Sequence, residues 1–236
     1  RSVRNAGINL VTLANNHAFD CRTAGFRRLC HLLDELKLGY FGAGHTLTEA
    51  AAPKIITANG VRLGFITACD PQTGISDIAG PDTFGILPLD VDILSDQIYQ
   101  FKQQLHHVIV VLHWGDERVT LPAPRQIKLA HQLVEAGASL IVGHHPHILQ
   151  GMEVYKKTPI CYSLGNFLSS RVYFTDGDVI TWNRREQTGC IVLAEFDAER
   201  LISIEERPTY DDGNRVVIDD SGFGRSWINR LNRSLE

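Results

Sequence analysis

Three short runs place histidine directly after apolar, β-branched segments: LANNHAFD (Leu13 to Asp20), VVLHWGDE (Val110 to Glu117) and LIVGHHPH (Leu140 to His147). Imidazole nitrogens with amide or carboxylate oxygens are the donors that divalent transition ions take. Side chains carried on strand ends are held firmly enough to fix a coordination geometry. The runs contain Asn16, His17, His113, His144, His145 and His147. One such histidine is ordinarily a half-buried polar residue at a loop start. Three strand ends that carry them together point to a metal site at one sheet edge. Neutral imidazole and amide oxygen suit Zn, Mn or Fe, and two ions about 3.5–4 Å apart generate hydroxide and brace an in-line displacement.

The elements that must position these residues read as follows. Arg1 to Gly7 looks like a helix tail before a strand at Ile8 to Ala14. Thr23 to Lys37 puts Phe26, Leu29, Cys30, Leu33 and Leu36 on one helical face, with Gly39 closing the helix. Asn59-Gly60 between Lys54–Ala58 and Val61–Ala68 predicts a tight hairpin. Pro71 to Gly85 reads as a long exposed loop. Val91 to Leu105 and Pro124 to Ala136 are helical, and each precedes a strand, at His107 to Leu112 and Ala138 to Val142. From Met152 onward the chain reads as a β-meander with strands at Glu153–Tyr155, Pro159–Ser163, Gly189–Phe196, Leu201–Arg207 and Arg215–Ile218. An irregular stretch from Ser169 to Thr188 interrupts it, and a helix covers Trp227 to Leu231. The expected class is α/β, with two packed mixed sheets flanked by helices.

The chain has 236 residues and 44% hydrophobic content, enough for a single domain over 1–236. A net charge of −4 gives no excess of cations for phosphate backbones, so nucleic acid is not an expected partner. Five cysteines without a C-x-x-C pair argue against a disulfide framework and a thiolate zinc cluster, and lean towards a reducing cytoplasmic interior. No apolar run approaches 18 residues, and the first residues lack a signal-peptide pattern. The chain opens at Arg1 without methionine, so the expectation is that it starts inside a domain, with its N-terminal part missing.

The wording of the runs is specific when taken in order. LANNHAFD, HWGDE followed by Pro122 and Pro124, GHHPHILQGMEVY and CYSLGNF resemble the CapA family associated with poly-γ-glutamate capsule synthesis, within the calcineurin-like metallophosphoesterase superfamily. The resemblance covers about Gly7 to Phe167 and implies an αββα sandwich. It further implies that Asn16, His113 and His145 coordinate one divalent ion while His147 helps hold a second. His17 would stay off the metals and protonate the leaving group, a role open to an imidazole with an unperturbed pKa of about 6.5.

Two departures accompany it. His144 intervenes between Gly143 and His145, so either histidine can be the ligand; the kept His-x-His spacing and the alternation of strand residues favour His145. The superfamily's aspartate motifs, including a bridging carboxylate, precede the Asn-His, and no acidic residue precedes Asn16 here. Asp116 and Glu117 are either a solvated turn or support and substrate contacts for the site. Asp20 reads as the N-cap of the following helix, and Asn166 as a hydrogen-bond partner of a metal ligand.

The implied activity is a metal-dependent hydrolase in poly-γ-glutamate synthesis or turnover, cutting either a phosphoester or a γ-amide. The alternatives are a general phosphoesterase on a small phosphorylated substrate and a non-catalytic scaffold subunit of a capsule-assembly complex. The resemblance suggests a bacterial membrane-associated or cell-surface location, against the lean of the cysteines.

Overall fold

A computed structural model describes residues 2–168, 172–173 and 177–236. In chain order the elements are α1 (Ser2–Asn5), β1 (Leu10–Thr12), α2 (Arg22–Glu35), β2 (Gly39–Phe41), β3 (Ala43–Gly44), α3 (Leu47–Ala51), β4 (Lys54–Ala58), β5 (Val61–Cys69) and β6 (Gly85–Ile86). There follow α4 (Val91–Lys102), β7 (His107–His113), α5 (Pro124–Ala136), β8 (Leu140–His144), β9 (Leu149–Tyr155) and β10 (Thr158–Leu164). The chain continues through β11 (Val172–Tyr173), β12 (Val179–Ile180), β13 (Thr188–Phe196), β14 (Leu201–Asp211), β15 (Val216–Ile218) and α6 (Phe223–Arg233).

The central layer is a six-stranded mixed sheet in the order β4-β5-β7-β8-β10-β9. Its middle strands β5, β7, β8 and β10 run parallel, and the hairpins at the two edges add β4 and β9 antiparallel. Alternation along the strands gives each face its own task. Val108, Val110 and Leu112 point to a core shared with Leu94 and Ile98 of α4 and Ala130 and Leu133 of α5. Ile109, Val111, Leu140 and Val142 point the other way, towards Val192, Ala194 and Phe196 of β13. Both faces of β7 are covered, which explains its unbroken apolar run. The second layer comes in two pieces, the parallel pair β1-β2 and the antiparallel sheet β13-β14-β15. The β1-β2 pair lies over β5, with Thr12 Oγ1 2.9 Å from Thr67 Oγ1 and the Phe41 and Phe65 rings 6.4 Å apart.

Local chemistry sets the boundaries. Asp90 caps α4 by accepting from the backbone of Asp92 and Ile93. Pro124 opens α5, and Gly137, at φ 115°, ends it. The Asn59-Gly60 turn has φ of 50° and 79°, the mirror-image turn that a tight hairpin requires.

Several expectations need correction. Lys37 (φ 54°), not Gly39, supplies the left-handed residue after α2, and Gly39 is the first residue of β2. Leu29 is 37% exposed on the solvent side of α2, so the buried face rests on Phe26 and Leu33. The segment 71–85 is partly packed: Ala79 is buried and its N–H donates to Ile86 O. The strands after Met152 are not one meander, because β9 and β10 complete the central sheet while β13 to β15 form another. Part of the stretch from Ser169 to Thr188 lies outside the described residues; within it β11 pairs antiparallel with β12.

Candidate metal centre

The parallel register aligns Cys69, His113 and His144 in one row at the C-terminal edge of β5, β7 and β8. Ligand sites in open parallel sheets sit at that edge. His113 is the hub. Its ring centroid lies 4.7 Å from that of His144 and 4.6 Å from that of His145, and its Nε2 is 2.9 Å from Asn16 Oδ1. Asn16 reaches it from the loop after β1, so the three runs do converge. They come from two facing sheets, however, rather than from one edge. Burial and the neighbouring histidines push His113 down to about 2 and His144 down to about 4, and burial also lowers His145. The rings are therefore neutral donors.

Three ring nitrogens in this cluster, His113 Nδ1, His144 Nε2 and His145 Nδ1, are buried without a hydrogen-bond partner. Leaving such atoms unpaired costs about 1–3 kcal/mol each, a cost that coordination of a cation by any of them would relieve. His145 does not owe its place to strand alternation. β8 ends at His144, and His145 and His147 have φ of 104° and 57°, which turn the chain sharply and bring the His145 ring against His113. The structure thus brings both His144 and His145 to His113.

His147 sits farther out, 6.2 Å from His145 between ring centroids. Its Nδ1 is 2.8 Å from Asn166 Oδ1, while Asn166 Nδ2 donates to His147 O and Glu186 O. Trp182 stacks on the His147 ring at 5.2 Å, and the Arg118 guanidinium lies over Trp182 while pairing with the buried Glu186 at 3.0 Å. The Arg118 N–H donates to Pro146 O, tying this rim to the His145–His147 turn. His17 is exposed, with Nδ1 3.0 Å from Asp20 Oδ2. Asp20 is thus not the helix cap: Cys21 occupies the N-cap without a side-chain bond, and the Asp20 carboxylate is turned to His17 instead. Asp116 and Glu117 lie exposed on the turn after β7, where Glu117 acts on His145 only through its field.

Among the described residues, no three His, Cys, Asp or Glu side chains form a ready-made metal cage. The donor set nonetheless fits one ion through Asn16 Oδ1 and the neutral rings of His113 and His144 or His145, two imidazoles and an amide being an ordinary combination. For a second ion the expected ligands offer His147. Burial pushes the thiol of Cys69, in the same row as His113, up to about 12. The cavity here is about 540 Å³ and is lined by the imidazoles together with apolar Val3, Ile8, Phe167 and Leu168.

Sequence reasoning missed Asp70. It follows the apolar run of β5 as His113 follows that of β7, and it is 1% exposed. The same strand-end pattern that picked out the histidines could have found it. Its partner Arg125, on α5, carried no such signal.

The description "Bacterial capsule synthesis protein PGA_cap" belongs to a family model that matches residues 1–171. The capsule biosynthesis protein CapA of Bacillus anthracis is 38% identical over 172 residues, covering 71% of this chain and 42% of that protein. The PGA biosynthesis protein CapA of Bacillus subtilis is 36% identical over 167 residues, covering 70% and 44%. The chain spans less than half the length of these relatives. In fold it resembles a 5'-nucleotidase precursor from Thermus thermophilus (TM-score 0.54, 17% identity, 99% of this chain and 44% of that one). It also resembles a phosphatase from Mycoplasma pneumoniae (TM-score 0.59, 13% identity, 90% and 76%). The packed sheets flanked by helices thus share the fold of these two structures, and by family model and relatives alike the chain belongs to the PGA_cap, or CapA, family of bacterial capsule synthesis proteins.

Proposed function

We propose that the chain forms one metal-dependent hydrolase domain acting in poly-γ-glutamate synthesis or turnover. Asn16, His113 and His145 would hold one divalent ion, Mn, Fe or Zn, with His147 contributing to a second. Bound ions supply Lewis acidity and an activated water for an in-line displacement. The chain's own side chains do the remaining work. Asn166 fixes the ring of His147, as outer partners of metal-binding histidines do. His17, oriented by Asp20, delivers a proton to the leaving group from Nε2. Phe167 and Leu168 present an apolar wall on which the methylene groups of a glutamyl chain can lie. Arg118 and Trp182 brace the His147 ring from outside.

The observation that carries this reading is the packing of His113 against His144 and His145 with its Nε2 at the Asn16 oxygen, in a cluster where three further imidazole nitrogens are buried without a partner. A second reading, a phosphoesterase acting on a small phosphorylated substrate, is favoured by the likeness in fold to a 5'-nucleotidase precursor and a phosphatase. The test is to titrate the chelator-treated protein with Mn or Zn and assay chromogenic phosphoesters beside γ-glutamyl peptides. Metal-stimulated cleavage of the peptides supports the polymer reading, and cleavage of phosphoesters alone the second. A protein that binds poly-γ-glutamate but neither takes up an ion nor cleaves either class is a scaffold, and both hydrolytic readings fall.

A further inference from the structure

An asparagine amide is two-ended: turning it by 180° exchanges an oxygen for an NH2 with almost no change in shape. A cation accepts only the oxygen. In this structure the choice is made by a backbone carbonyl, because Asn16 Nδ2 donates to Thr73 O at 2.9 Å and so leaves Oδ1 facing His113. Thr73 ends a 3-10 turn, Pro71–Thr73, whose shape is set by Asp70. The Asp70 carbonyl accepts from Thr73 N and from Thr73 Oγ1, and its carboxylate accepts from Gln72 N at 3.0 Å. Asp70 N donates to His113 O at 2.7 Å, so one residue is anchored to the strand that carries His113 and also shapes the turn that orients Asn16.

The Asp70 carboxylate is in turn held by Arg125. Nη1 donates to Oδ2 at 2.6 Å and Nη2 to Oδ1 at 2.9 Å, and Nη1 also reaches Gln72 Oε1 at 2.6 Å within the turn itself. Only the carboxylate of this pair is buried, the guanidinium being 43% exposed, and a pair with one partner in water adds little to stability by itself. What a guanidinium fork adds is direction. We infer that Arg125 is a positioning residue for the metal centre: through Asp70 and the 71–73 turn it sets which end of the Asn16 amide faces His113. This rests on the reading of Asn16 and His113 as joint donors to an ion.

The experiment compares the parent protein with Arg125→Met, Arg125→Lys and the double variant Asp70→Asn/Arg125→Met. Each is titrated with Mn and Zn by calorimetry, followed by the NMR signals of the Asn16 side-chain amide without metal, and unfolded in urea. Arg125→Met should bind the ion about 10–100-fold more weakly, and its Asn16 amide protons should shift and lose protection. Arg125→Lys, which keeps the charge but not the fork, should fall between. The double variant removes the unpaired buried charge, so it should recover stability without recovering affinity, and it serves if Arg125→Met does not fold. An affinity that stays within twofold of the parent in Arg125→Met, or that returns together with stability in the double variant, makes the pair merely structural and overturns the inference. If the parent itself takes up no ion, the metal reading fails separately. The Asn16 signals then decide the positioning role, which unchanged resonances in Arg125→Met would refute.

Discussion

Gly143, directly before the paired histidines, offers the sharpest test of how the site is built. It lies in β8, which runs parallel to β10, and a methyl group built on it would come 2.0 Å from Tyr162 O and 2.4 Å from Trp114 Nε1. Neither neighbour can yield freely: Trp114 and Tyr162 are fully buried, and the indole N–H donates to Tyr162 O at 3.0 Å through the space the methyl would occupy. Gly143→Ala therefore overpacks a strand contact, at about 1–3 kcal/mol, and orphans a buried donor, at about 1–3 kcal/mol more. The sum of about 2–6 kcal/mol is a large part of a typical stability of about 5–15 kcal/mol. Urea unfolding followed by circular dichroism should show the midpoint fall without a change of slope, and the melting temperature should drop on the order of 10 °C. Trp114→Phe, which removes the donor but leaves the strand spacing intact, should cost less. The strand carries His144 and leads into His145, so metal affinity should fall with Gly143→Ala too. A Gly143→Ala protein within about 0.5 kcal/mol of the parent would mean that β8 and β10 do not approach as described.

Four further outcomes follow from the same geometry. His113→Ala and His145→Ala should each lower metal content after mild dialysis while leaving the far-ultraviolet spectrum intact; a full complement in either removes that residue from the ligand set. His17→Asn should keep metal and lose about 10²–10⁴-fold in turnover, less for substrates with good leaving groups, and an equal loss for all leaving groups argues against proton donation. Phe167→Ser and Leu168→Ser should weaken binding of γ-glutamyl oligomers about tenfold, as loss of a partly buried apolar contact does, while leaving small phosphoesters unaffected; equal losses on both would deny the wall its role. Burial lowers the pKa of His107, which lies between Ser139 Oγ and Asp197 O. The unfolded chain therefore takes up this proton first, stability drains as pH falls below about 6.5, and His107→Gln should flatten the stability profile between pH 7 and 5; identical slopes would contradict that.

The residues show plainly which segments are strands and helices, because burial imposes periods of 2.0 and 3.6 on them. Partnership between strands is less visible. LANNHAFD and VVLHWGDE end alike, yet β1 pairs with β2 and β7 sits in the central sheet, since either environment accepts the same apolar alternation. Chain direction past the last strand residue is hidden as well: the positive φ of His145 and His147 is imposed by surrounding contacts on a residue type that does not announce it. Asp20 showed the limit of local rules, for a carboxylate one residue before a helix N-cap found a closer partner in an imidazole three residues back. Asp70 and Arg125, 55 residues apart, meet only once α5 folds against the sheet edge, so their relation leaves no trace in spacing.

The central sheet explains why core and site are difficult to separate here. Ile109, Val111 and His113 lie on one side of β7, and Leu140, Val142 and His144 on the same side of β8. The side chains that wall the apolar groove under β13 and those that face Asn16 are thus successive members of the same two rows, changing from hydrocarbon to imidazole at the last position. The hydrocarbon below excludes water from the rings, and this desolvation is the largest cause holding His113 and His144 neutral. A polar residue at Val111 or Val142 would admit water beneath the imidazoles and raise their proton affinity from a position outside the cluster. The low proton affinity of these imidazoles is a product of the packing of β7 and β8 as much as of the histidines themselves.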